Sequence, residues 1–401
     1  MSIEDDTTPP GHVLVVGASA SGLGTAEALR RKGYPGRITV LGDEPHAPYD
    51  RPPLSKQVLS GAWEPDRTAL RTADVLSALD AEFVLGDAAV ALDVPTRTVR
   101  TESGRELTAD AVVIATGVRP RMLPGGAELT GVHVLRGLDD ALALRGALVP
   151  GARLVVVGEG VLGSEIAATA RTLGLDVTLT GPLQAPMALQ VGPLVSRALA
   201  ELHLERGVRL RLGNGVAGFT GEHGRVTGVR LTGGETLPAD VVVVAIGAVP
   251  ATEWLADSGL ALDNGVVCDS RCRAADGVYA VGDVARFQHE RLGRLVRLEN
   301  RTNATEQAVA VAGALLGENL PYVPVPYFWT DQFDAKLQVH GVIPAGAEAE
   351  IVEGDLGARR FVARYSSGGA VTAVLGWNMP KQTRLRRQDV VDALAPAPVH
   401  G

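Results

Sequence analysis

The 401-residue sequence has little cysteine, no excess of basic charge and no long apolar run, and each shortage removes a class of function. Its two cysteines, Cys268 and Cys272, are too few for a disulfide framework and fit a reducing compartment. Their C-x-x-x-C spacing lacks the further ligands a zinc site needs, so they read as incidental and no metal is expected. No C-x-x-C or C-x-x-x-x-C follows the first glycine-rich turn, which argues against a disulfide reductase of the glutathione or thioredoxin type. The formal net charge is −8, so nothing in the balance favours nucleic acid or an anionic membrane; a small molecule or a protein partner fits better. No uncharged apolar stretch reaches membrane-spanning length. Met1 to Pro10 is acidic and polar, without the basic and apolar parts of a secretory signal, so a cytoplasmic location is expected.

What is present starts with Val13-Leu14-Val15-Val16, a run suited to a strand buried on both faces, followed by the small-residue turn Gly17-Ala18-Ser19-Ala20-Ser21-Gly22 and a helical pattern. A turn of this kind leaves backbone N–H groups free at a helix N-terminus, where a pyrophosphate can sit, although it also serves plain close packing. Ser19 stands where the dinucleotide fingerprint prefers its second glycine. The helix ends at Gly33, and Ile38-Thr39-Val40-Leu41 reads as the next strand. Asp43 lies 21 positions past Gly22, the offset at which this fold places a carboxylate on an adenosine ribose.

The pattern then repeats about 140 residues on. Arg153-Leu154-Val155-Val156-Val157 leads into a full G-x-G-x-x-G at Gly158, Gly160 and Gly163, and Asp176 to Thr180 supplies its second strand. Gly181 holds the place of the ribose-binding acid, and no arginine stands beside it for a 2′-phosphate, so NADH and NADPH are both left open. Of two strand-to-turn runs, Asp110 to Pro120 brings the chain back to the first sheet and Asp240 to Pro250, which echoes it, marks the return from the inserted domain. Between 277 and 284 another strand ends in Asp283, where a doubly wound sheet binds ligands, though an acid there also caps helices. From about Pro321 prolines and aromatics cluster, followed by alternating short strands. The fold class expected is α/β: two Rossmann-like dinucleotide-binding domains, the first split over 1–112 and 245–320 and the second inserted at 113–244, plus a C-terminal α+β domain at 321–401.

Gly42 to Lys56 (GDEPHAPYDRPPLSK), Ala115 to Pro120, Val281 to Val284 and Tyr327 to Gln332 resemble, in order, segments of the ferredoxin reductases that serve bacterial haem monooxygenases and Rieske dioxygenases. The resemblance covers nearly the whole chain. It implies FAD held at its pyrophosphate by Gly17, Ser19, Ser21 and Gly22, at its adenosine ribose by Asp43 and at its ribityl chain by Asp283. It puts Arg51 and Lys56 beside the isoalloxazine, with Thr116, Gly117, Arg119 and Arg136 nearby and Trp329 at the flavin's exposed edge. Gly158, Gly160 and Gly163 would hold the nicotinamide coenzyme, with Glu165 near its reactive ring. Lys56, Glu165 and Trp329 are therefore the catalytic candidates, although Lys56 and Glu165 also fit an ordinary surface pair and Trp329 a core position. Asn300, Arg301, Gly181 and Ala185 depart from the family's pattern.

The activity implied is transfer of electrons from NADH or NADPH through FAD to a [2Fe–2S] ferredoxin that feeds a haem monooxygenase or Rieske oxygenase, by a monomer or weak dimer. Acidic ferredoxins call for a basic docking patch, either Arg286, Arg291, Arg294 and Arg297 or Lys381, Arg384, Arg386 and Arg387, though each cluster also fits a solvated face. Two rivals stay open: an NAD(P)H diaphorase or oxidase, and a redox-regulated flavoprotein resembling apoptosis-inducing factor.

Overall fold

A computed structural model describes residues 9–394, so most of Met1–Pro10 and the last residues of the C-terminal unit lie outside it. The chain opens with β1 (His12–Val16), α1 (Ala20–Arg31), β2 (Arg37–Gly42), β3 (Glu82–Leu85) and β4 (Ala111–Ile114). Val13, Leu14, Val15 and Val16 are all buried, as are all four residues of β4, because helices and loops cover both faces of a parallel sheet. β1 pairs in parallel with β2 on one side and β4 on the other. β4 belongs wholly to this sheet, so the crossing to the next unit starts after Ile114 rather than at 112.

The second unit repeats this arrangement with β5 (Val132–His133), β6 (Arg153–Val157), α2 (Val161–Thr172), β7 (Asp176–Gly181), α3 (Ala188–Glu205), β8 (Arg209–Leu212) and β9 (Val241–Val244). Its sheet runs β8-β7-β6-β9-β5, with β6 between β7 and β9 as β1 lies between β2 and β4. The outward and return passages lie side by side, since Val118–Pro120 pairs antiparallel with Ala248–Pro250. The returning chain adds β10 (Arg273–Ala275) and β11 (Val278–Ala280), completing a first sheet of order β10-β11-β4-β1-β2-β3, and α4 (Arg301–Leu315) packs on α1.

The C-terminal unit is an antiparallel sheet of β12 (Tyr327–Gln332), β13 (Ala335–Gly341), β14 (Glu348–Asp355), β15 (Arg360–Ser367) and β16 (Ala370–Trp377), in the order β12-β13-β16-β15-β14, followed by α5 (Pro380–Ala393). It shares one core with α3: Val191, Val195 and Leu199 pack with Leu337, Phe361 and Trp377. The Tyr365 hydroxyl donates to the Val191 carbonyl at 2.6 Å. This unit is therefore seated on the second nucleotide fold while its first strand reaches across to the first. Among the described residues no helix is long and apolar enough to cross a membrane.

Candidate functional site

The two glycine-rich turns have one geometry. Gly17 (φ +124°) and Gly158 (φ +113°) sit in the region L side chains avoid, and a Cβ on either would overlap a carbonyl oxygen, of Ala115 or Ala245. A Cβ on Gly22 or Gly163 would likewise overlap the carbonyl of Gly17 or Gly158, so these four glycines let strand and helix approach. The middle position differs in kind. Ser19 and Gly160 are extended N-cap residues without a side-chain cap, and nothing lies within 4 Å of a Cβ built on Gly160. The first N–H groups of α1 and α2 have no partner inside their own helices and are available to an anion.

Both turns open on a single cavity of about 870 Å³, large enough for an extended ligand. Ser19, Ser21, Arg51, Lys56, Thr116, Gly117, Arg136 and Asp283 line one side and Gly158, Gly160 and Glu165 the other, with Trp329 between them. The sequence thus brings most of its expected site residues to one place.

The proline-stiffened loop carries Arg51 into this cavity. Its guanidinium meets Glu44 at 2.6 Å and donates to the Tyr49 hydroxyl at 3.0 Å and the Arg136 carbonyl at 2.7 Å. Burial raises the pKa of Tyr49, whose hydroxyl donates to Glu44 as a neutral phenol. The buried Nε of Arg51 has no partner among the described residues, an open donor facing a ligand site. Arg136 lies 3.2 Å from the Asp283 carboxylate, and burial together with the neighbouring Arg51 charge lowers its pKa. Two crowded guanidiniums with a spare donor suit the carbonyl oxygens and ring nitrogens at the edge of a bound flavin, so these residues fit FAD.

Lys56 and Glu165 form a buried pair at 2.7 Å. Glu165 is 5% exposed and also accepts from Ser55 Oγ at 2.5 Å and Thr330 Oγ1 at 2.9 Å. One carboxylate on α2 thereby ties the loop of the first unit to β12 of the third. The same network continues inward, from Thr330 through Gln332 to the buried His203, whose pKa burial lowers. Trp329 is half-buried; it stacks on Tyr327 at 6.0 Å, and Tyr327 on His340 at 4.6 Å.

Residues 11–308 match the family described as pyridine nucleotide-disulphide oxidoreductase, and residues 327–398 match the reductase C-terminal family. Rhodocoxin reductase of Rhodococcus erythropolis is 36% identical, over 94% of this chain and 88% of its own length. The benzene 1,2-dioxygenase system ferredoxin–NAD(+) reductase subunit of Pseudomonas putida is 38% identical over 93% and 91%. The crystal structure of the covalent putidaredoxin reductase–putidaredoxin complex superposes with a TM-score of 0.91 at 35% identity, covering 96% of this chain and 94% of that one. The chain belongs to the pyridine nucleotide-disulphide oxidoreductase family, among its ferredoxin reductases.

It is an oxidoreductase without the disulfide of the family's title. Cys268 and Cys272 are buried thiols in the core of the first unit, away from the cavity; burial raises both pKa values, that of Cys272 to about 12. Two further expectations, those for Arg119 and Arg297, need correction. Arg119 points to solvent and pairs with Glu253, because the short strand buries Val118 and so exposes its neighbour. Asp43 is exposed at the end of β2 and does not line the cavity; its Oδ1 accepts from the Glu44 amide at 3.0 Å. Arg297 is turned inward, 12% exposed, donating to the Asp283 carbonyl at 3.0 Å, so it is no part of a surface patch.

The second unit does have a carboxylate at the end of β7. Glu159, inside the turn, is 4% exposed, lines the cavity, and accepts from the Leu183 amide at 2.7 Å through Oε1. A Cβ built on Gly181 would fall inside this carboxylate. Sequence reasoning misses Glu159, Glu44, Ser55 and Thr330. For Glu159 the signal was present, a charged residue between fingerprint glycines in a chain whose β7 ends in glycine.

Proposed function

We propose that this chain is a flavoprotein ferredoxin reductase, taking electrons from NADH or NADPH through FAD and delivering them to a [2Fe–2S] ferredoxin that serves a haem monooxygenase or Rieske oxygenase. The observation that carries this reading is one cavity bounded by both nucleotide turns, with the Lys56–Glu165 pair and Trp329 between them. A relative named as the ferredoxin–NAD(+) reductase subunit of a dioxygenase system supports it. When bound, FAD supplies the conversion of a two-electron donor into single-electron transfers.

In this reading Gly17, Ser19, Ser21 and Gly22 hold the FAD pyrophosphate, Asp283 the ribityl chain, and Asp43 the ribose through its free Oδ2. Arg51, Thr116, Gly117 and Arg136 bound the isoalloxazine site. Lys56 holds positive charge where negative charge collects on the ring, and Glu165 fixes its direction. Gly158, Gly160 and Gly163 hold the coenzyme pyrophosphate, and Trp329 shields the ring from water. The domains follow the same division: FAD over residues 1–114 and 245–320, coenzyme over 115–244, and a cover from 321 onward. The acidic ferredoxin docks on exposed Lys381, Arg384 and Arg387 of α5. In this reading the protein works in the cytoplasm, where reduced coenzyme and ferredoxin are at hand, as a monomer or weak dimer.

Anaerobic titration of the purified yellow protein tests this. NADH or NADPH should bleach the visible flavin band and ferredoxin should restore it; a protein that takes up no FAD, or whose band neither coenzyme bleaches, contradicts the reading.

A further inference from the structure

The Glu159 carboxylate occupies the space that a Cβ on Gly181 would take. Any Cβ at 181 meets the Glu159 carboxylate, so the strand-end position that carries an acid in dinucleotide folds is vacant here and filled from the turn instead. Resting on the reading that the second turn binds the coenzyme, we infer that Glu159 is the residue that recognises the adenosine ribose and selects NADH over NADPH.

Glu159 is held rigidly. Its carbonyl accepts from the Met187 amide at 2.7 Å and the Ser164 hydroxyl at 3.3 Å, while Oε1 accepts from Leu183 N. Oε2 has no hydrogen-bond partner among the described residues, although the side chain is more than nine-tenths buried against the cavity. On a side chain otherwise withdrawn from water, this open oxygen on the cavity wall is the place for a ligand donor. A ribose hydroxyl brings one. A 2′-phosphate brings only acceptors and about −1.5 to −2 of charge.

No cation offsets that repulsion. The segment from Gly181 to Gln190 contains neither lysine nor arginine. The cavity's own cations lie on the first unit's side, and each is engaged: Arg51 with Glu44, Lys56 with Glu165, Arg136 with Asp283 and Arg301 with Asp50.

Titration calorimetry of the FAD-loaded protein with NAD+ and with NADP+ reads this without turnover. The native chain should bind NAD+ at least roughly tenfold more tightly than NADP+. Glu159→Gln keeps the size and the acceptor for Leu183 N but loses the charge, and should cut the NAD+/NADP+ ratio about tenfold, mainly by tightening NADP+. Glu159→Gly combined with Gly181→Asp moves the carboxylate back to the strand end and should keep the NAD+ preference, while Gly181→Asp alone should weaken both nucleotides by crowding. A native chain that binds NADP+ as tightly as NAD+, or a ratio unmoved by Glu159→Gln, overturns the assignment while leaving the coenzyme site standing. Binding of neither nucleotide overturns the coenzyme reading itself.

Discussion

Replacing Glu165 with alanine should destabilise the protein far more than removing an ordinary ion pair. Three donors from two different units converge on this carboxylate: Lys56 Nζ at 2.7 Å, Ser55 Oγ at 2.5 Å and Thr330 Oγ1 at 2.9 Å. Its loss leaves the Lys56 ammonium, with a side chain 12% exposed, facing only the Ser55 hydroxyl at 3.3 Å. Breaking a buried pair by deleting one partner costs about 3–5 kcal/mol, since the surviving charge stays desolvated. The Thr330 hydroxyl also loses its acceptor, so the upper part of that range is expected. At about 1 °C per kcal/mol for a chain of 401 residues, Tm should fall by about 4–6 °C. Glu318→Ala, which removes the exposed partner of Lys32, should cost about 0–1 kcal/mol and serves as the control. Adding Lys56→Met to Glu165→Ala should recover much of the loss, because no unpaired charge then remains. Thermal unfolding of the FAD-loaded variants, followed by circular dichroism, measures these three and the Lys56→Met single. A Glu165→Ala shift no larger than that of Glu318→Ala, or a double variant equal to the sum of its singles, would refute the reasoning.

Other outcomes follow from the same coordinates. Cys268 and Cys272 should not react with a disulfide reagent at pH 8 in the native protein and should both react in urea, since burial raises both thiol pKa values; native labelling of either would count against the packed core drawn around them. Burial, with a smaller effect from the Arg387 charge, lowers the His340 pKa to about 4. The unfolded chain, titrating near 6.5, binds more protons between those values, so the stability His340 contributes is present above pH 6.5 and is lost as pH falls toward 4. Urea midpoints should therefore drop less steeply over that range in His340→Gln. On α5, Arg384→Glu with Lys381→Glu should lower ferredoxin reduction about tenfold at low salt and flatten its salt dependence, leaving ferricyanide reduction unchanged; equal loss in both assays would place the docking face elsewhere.

The internal repeat was legible because the backbone itself demands it. A strand buried on both faces must be apolar throughout, and a turn at Gly17 or Gly158 that brings a carbonyl into the place of a Cβ must be glycine. Side-chain direction was not legible. Asp43 stands at the expected offset, yet its neighbour Glu44 is the acid that reaches Arg51. Arg119 follows a buried valine on a three-residue strand, too short for its alternation to be read in advance. Contacts across long stretches of chain were also invisible: Thr330 meets Glu165 from 165 positions away because the C-terminal sheet is seated on the second nucleotide fold. Glu159 was hidden for a different reason, since its carboxylate does at one position the work expected of another.

The most direct measurement is anaerobic stopped-flow reoxidation of the coenzyme-reduced protein, run in parallel against a [2Fe–2S] ferredoxin and against oxygen. A ferredoxin reductase should return the flavin band rapidly with ferredoxin, in step with bleaching of the iron–sulfur absorbance, and only slowly with oxygen. Fast reoxidation by oxygen with no transfer to any [2Fe–2S] ferredoxin would contradict it and make the protein an oxidase.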